Sequence, residues 1–181
     1  MGRIADLAPE AMTPEQRRIA NDIGAARGGV VRGPFAIWLR NPEIADRANQ
    51  FGNALRIAGK LDKRLFELMI LVVARHWSAQ YEWFAHEKQA RENGVSDAVI
   101  EAIRHRRKPV FERADEALVY DLVSEMNETR TLSQPTYDLA LAHFGQDLMI
   151  ELVTSLGFYT MVAVVLNGFD APVPDGTRPL P

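Results

Sequence analysis

The chain has 181 residues, 47% hydrophobic and 25% charged, a globular balance that excludes a wholly disordered chain. Its 21 basic and 24 acidic residues are interspersed and leave a net charge of −3, so no basic groove for nucleic acid is expected. Cysteine is absent, which rules out disulfides, thiolate-ligated zinc, protein-ligated iron–sulfur clusters and any thiol nucleophile.

The opening Met1-Gly2-Arg3-Ile4-Ala5-Asp6 has no apolar stretch of the signal-peptide kind. A first helix is expected from Thr13, with Pro14 at its first position, to about Ala26. Gly28-Gly29-Val30-Val31-Arg32-Gly33-Pro34 then breaks it; without a GK[ST] ending or G-x-G-x-x-G spacing it reads as a loop, not a phosphate cradle. The apolar Phe35–Leu39 segment suits a single turn or a pocket wall. Asn41-Pro42-Glu43 opens a second helix that reaches about Ala58 and closes at Gly59. Asp62 caps a third, whose interior from Leu65 to Ala74 is apolar nearly all round and therefore buried on most faces. Ser78 is expected to cap a fourth helix, ending at Asn93-Gly94. Ser96-Asp97 opens a fifth that ends in the basic run Arg104–Lys108, suited to a helix C-terminus. A sixth covers about Glu112–Asn127, a seventh runs from Ser133 to Gly145, and an eighth from about Asp147 to Leu166. The tail from Ala171 to Pro181 holds four prolines and is expected to lie extended over its own domain or a neighbouring subunit. The longest apolar runs, Leu68–Ala74 and Leu156–Leu166, fall short of the roughly 20 residues of a spanning helix, so a soluble, cytoplasmic protein without a membrane partner is expected.

Two places could carry chemistry. Glu67 sits in the apolar third helix, where a carboxylate must be paired, hydrogen-bonded or protonated. It is either a structural carboxylate or an acid whose pKa is raised into the range useful for proton transfer. The second place is the stretch Arg75-His76-Trp77-Ser78-Ala79-Gln80-Tyr81-Glu82-Trp83-Phe84-Ala85-His86. Glu82 and His86 are four apart on one helix face and form a candidate acid–base dyad, the carboxylate orienting the imidazole; the bland alternative is an ordinary surface pair. Arg75 or His76 could bind a substrate carboxylate, and Tyr81 and Trp83 could shape an apolar wall. His105 reads as solvated and His143 as a helix-end cation. H-E-x-x-H and G-x-S-x-G are absent, so neither a zincin site nor a serine elbow is expected, although His76, Glu82 and His86 could form a facial triad for another metal.

From Glu67 through Gly94 the sequence resembles the carboxymuconolactone decarboxylase family, which includes the alkylhydroperoxidase-D-like proteins. In the family's peroxidase branch a helical carboxylate is followed twelve residues later by Cys-x-x-Cys-x-x-x-His. Here those steps lead from Glu67 to Ala79, Glu82 and His86: carboxylate and histidine match, and both cysteines are replaced. The resemblance implies an all-α, single-domain helical bundle of the alkylhydroperoxidase-D-like type with about eight helices and an extended Pro-rich tail. Residues 1–34 would form a helical arm and loop, 35–170 the family domain and 171–181 the tail. It implies homo-oligomers, trimers or hexamers, with pockets built between subunits. Thiol peroxidase chemistry needs two sulfurs and is excluded. The decarboxylase branch, with Glu-x-x-x-His at these positions, implies a lyase acting on a small carboxylated lactone or carbonyl substrate without metal or organic cofactor. In that reading His86 donates the proton, Glu82 orients it and Glu67 is a second acid or base. A non-catalytic scaffold member and a metal-assisted enzyme are the rivals.

Overall fold

The computed structural model describes residues 2–25 and 27–181; Ala26, the expected end of the first helix, lies outside the described residues. Among the described residues the chain is all-helical, with one 3-10 turn, Pro9–Ala11, eight α-helices and no strand. The helices are α1 (Pro14–Ala25), α2 (Pro34–Trp38), α3 (Pro42–Arg56), α4 (Lys63–His76), α5 (Gln80–Glu92), α6 (Asp97–Arg104), α7 (Ala114–Thr129) and α8 (Gln134–Gly168). The Phe35–Leu39 segment is thus mostly a short helix. The two last expected helices form one run that Gly145 interrupts with φ 72° and ψ 170°, a conformation only glycine enters without strain.

The caps explain most helix starts. Thr13 and Gln16 form a reciprocal box, Gln16 N–H donating to Thr13 Oγ1 at 3.2 Å and Thr13 N–H to Gln16 Oε1 at 3.0 Å. Asn41 caps α3 through Ile44 N–H, Asp62 caps α4 through the Arg64 and Leu65 amides, and Ser96 caps α6 through Val99 N–H. Ser78 does not cap α5. Its backbone is left-handed (φ 49°), Ala79 is the N-cap, and the serine hydroxyl instead accepts from the guanidiniums of Arg75 and Arg106.

The chain divides into two compact units. One runs to Gly59 and takes in Val165–Pro172. Within it α1 and α2 pack on α3, and the Arg27 guanidinium bonds Asn49 at 2.6 Å and Asn53 at 3.2 Å while lying 4.1 Å over the Phe35 ring. The other unit is Lys60–Val164 with Val173–Pro181. Its centre is α4, buried at every position from Arg64 to Arg75. That all-round burial follows from the apolar sequence, because α5, α6 and α7 pack against it and Phe66 meets Tyr159 of α8 edge-on at 5.6 Å. The tail crosses this unit in extended form. Gln80 bonds the Leu180 backbone in both directions, Arg104 donates to the Pro179 carbonyl, Arg75 donates to the Pro181 oxygen, and Leu180 is 3% exposed.

Candidate active site

Glu67 projects from the middle of α4 and is 2% exposed. His86, at the midpoint of α5, meets it: Nδ1 lies 2.7 Å from Glu67 Oε2. The pair is sheltered, with 13% of the imidazole and 3% of the carboxyl side chain exposed. An ionised Glu67 can only accept, which puts a proton on Nδ1 and leaves Nε2 as the nitrogen for chemistry. The Tyr159 ring stands edge-on to His86 at 5.4 Å and closes one side. Tyr159 carries no sequence signal beyond an aromatic in an apolar run.

The expected Glu82–His86 pair is not formed. The two residues share a face of α5, but Nδ1 is occupied by a carboxylate from the neighbouring helix. Glu82 is instead 1% exposed, and neither carboxyl oxygen has a hydrogen-bond partner among the described residues. Burial without compensation pushes its pKa well above the usual glutamate range and favours the protonated acid.

The remaining expected site residues divide. Trp83 is fully buried, donates its indole N–H to Glu87 Oε2 at 2.7 Å and lies 5.1 Å beneath the Arg104 guanidinium. Arg104 also pairs with Glu87, so Trp83 is held in a charged latch between α5 and α6. Tyr81 is half-buried on α5. Arg75 and His76 lie at the far end of α4, roughly 12 Å along its axis from Glu67 at a helical rise of about 1.5 Å per residue. They line a separate cavity whose walls include neither Glu67, Glu82 nor His86. The facial triad of His76, Glu82 and His86 is therefore not assembled, and among the described residues no three His, Asp or Glu side chains converge as a metal would require. His105 is half exposed, and exposed His143 meets the Phe144 ring edge-on at 4.7 Å.

The helical architecture defines a class. The fold is similar to that of a protein of unknown function from Agrobacterium tumefaciens, named as a candidate antioxidant defence protein of the AhpD type (19% identity, TM-score 0.67, covering 76% of this chain and 95% of that one). It is also similar to an uncharacterised peroxidase-related protein from a Silicibacter species (18% identity, TM-score 0.74, covering 91% of this chain and 86% of that one). No curated protein matches the chain. Residues 42–118 match the model of the Carboxymuconolactone decarboxylase family. That segment, which is similar to the family, holds the Glu67–His86 pair and contains no cysteine.

Proposed function

We propose that this protein is a cofactor-independent lyase, or a related proton-transfer enzyme, acting on a small carboxylated lactone or carbonyl compound. The observation that carries the reading is the sheltered 2.7 Å contact between Glu67 and His86. In decarboxylation the bond to the carboxylate carbon breaks, its electron pair enters an enolate, and carbon dioxide leaves. The imidazole then delivers a proton from Nε2 to the carbanion carbon, and the Glu67 carboxylate balances the charge the ring carries while protonated. Glu82, buried and with its protonated form favoured, is a second acid on the same helix face.

The test is turnover of a panel of carboxylated lactones by the purified chain and three variants. His86→Ala is expected to lower kcat by about 10²-fold to 10⁴-fold, the usual share of a general acid or base, and Glu67→Gln by about tenfold or more. Glu82→Gln is expected to lower turnover by less than His86→Ala. Unchanged turnover in His86→Ala, with the fold intact, ends the assignment.

We further propose that α8 is covered by other copies of the chain. Its helix is long and apolar enough to cross a membrane by length and composition, yet only 44% of that window is buried within the chain. Leu139, Ile150, Met161 and Val164 are 63%, 57%, 42% and 45% exposed. Apolar side chains left outward in this number mark a surface that another molecule covers.

A further inference from the structure

The geometry points to a second, independent binding site: the cavity of about 130 Å³ walled by Arg75, His76, Arg106, Arg107 and Asn127 takes a small doubly charged oxyanion. It lies beyond the C-terminal half of α4, between the end of α6 and α7, and stands whether or not the His86 pair is catalytic.

The guanidiniums here differ from three others in this unit. Arg64, Arg91 and Arg104 each hold a carboxylate within 3 Å. Arg75, Arg106 and Arg107 pair with no Asp or Glu side chain among the described residues, and Arg75 Nη2 reaches only the Pro181 oxygen, at 3.3 Å, and Arg75 Nη1 the Ser78 hydroxyl. Arg75 is 8% exposed, and a charge so deeply buried is costly unless something of opposite sign faces it. Its Nε is buried without a hydrogen-bond partner, and so is Asn127 Nδ2 on the facing wall. Ser78 Oγ draws the like charges together, accepting from Arg75 Nη1 at 3.1 Å and Arg106 Nη2 at 2.9 Å. Three guanidiniums around one small hollow, two of them sharing Ser78 Oγ as acceptor, ask for a partner with negative charge.

Charge and size narrow the ligand. The wall carries three guanidiniums against one carboxylate, Glu128, with exposed His76 at the rim. Burial, followed by Arg106, depresses His76, with Arg130 adding to that and Glu128 opposing it. An uncharged His76 leaves a double positive excess that a dianion neutralises. The hydroxyls of Tyr120 and Ser124, which also line the cavity, can donate to its oxygens. A cavity of about 130 Å³ holds a phosphate or a three- or four-carbon dicarboxylate and little more. Arginine forks suit either, because both present paired oxygens.

Calorimetric titration of the full chain with sodium phosphate, sodium malonate and sodium chloride, at pH 7.5 and low ionic strength, tests the site. Saturable one-to-one binding is expected for phosphate, malonate or both, and none for chloride. Phosphate alone assigns a phosphoryl group, malonate alone a dicarboxylate, and both assign paired oxyanion charge; each supports the site. Arg106 is exposed and left-handed (φ 54°), a conformation asparagine tolerates, so Arg106→Asn keeps the fold and is expected to weaken binding at least tenfold. Occupancy should also raise the His76 titration midpoint in NMR, and should not do so in Arg106→Asn. Heats no different from chloride, or equal affinity in wild type, Arg106→Asn and Arg107→Gln, overturn the proposal.

Discussion

A carboxyl group with both oxygens buried and without partners holds its proton or is driven from the interior, and Glu82 is such a group. The unfolded chain loses that proton near the ordinary value of 4.5, whereas the folded chain keeps it well above. The folded state thus binds more protons, and stability falls as pH rises through this window, by at most about 1.4 kcal/mol per pH unit. Glu82→Met removes the titrating group at similar volume. Urea unfolding is expected to show the variant's advantage over wild type growing from pH 5 to pH 8; a difference constant with pH contradicts the assignment. The sequence pointed to Glu67 because apolar neighbours surround it, and the structure sets its carboxyl 2.7 Å from His86 Nδ1. It did not reveal the burial of Glu82, because a Glu and a His four apart read equally well as an ordinary surface pair. Nor could spacing on one helix show that His86 is met by a carboxylate from α4, 19 residues earlier in the chain.

Helix α4 is anchored at its start by charge as well as by its cap. Arg64 Nη2 lies 2.6 Å from Asp115 Oδ2 and Nη1 lies 2.7 Å from Glu116 Oε1, with only 9% of the Arg64 side chain exposed. Burial alone would raise Asp115, but the Arg64 hydrogen bond and charge hold it below the usual range. Removing the guanidinium strands two carboxylates, so Arg64→Ala is expected to cost about 3 kcal/mol or more in urea unfolding; a cost below about 1 kcal/mol places the pair with ordinary surface bridges. At Gly145 no atom lies within 4 Å of an added Cβ, so Gly145→Ala tests the backbone alone. Its φ of 72° with ψ of 170° predicts a loss of about 1–3 kcal/mol, and an unchanged melting temperature excludes that conformation. Most element boundaries were readable because Thr13, Asn41, Asp62, Ser96 and Gly145 act through local chemistry. Ser78 misled because its hydroxyl serves Arg75 and Arg106, the latter 28 residues away, a partnership that no local pattern encodes.

Apolar periodicity makes the all-helical class readable, and the tail's prolines make its extended course readable. What covers α8 is not, because an apolar stripe is the same whether it faces its own core or another chain. Light scattering of the purified chain at micromolar concentration is expected to give a trimer or hexamer, and Ile150→Glu, at a position 57% exposed, a smaller species. A monomer in both contradicts the proposed assembly. In the proposed reaction Glu67 and His86 act as one acid–base unit. A double-mutant cycle tests it most directly, comparing Glu67→Gln, His86→Gln and the double variant on whichever carboxylated lactone the wild type turns over fastest. The double variant is expected to be no slower than the slower single variant. Losses that multiply, or variants as fast as wild type, contradict it.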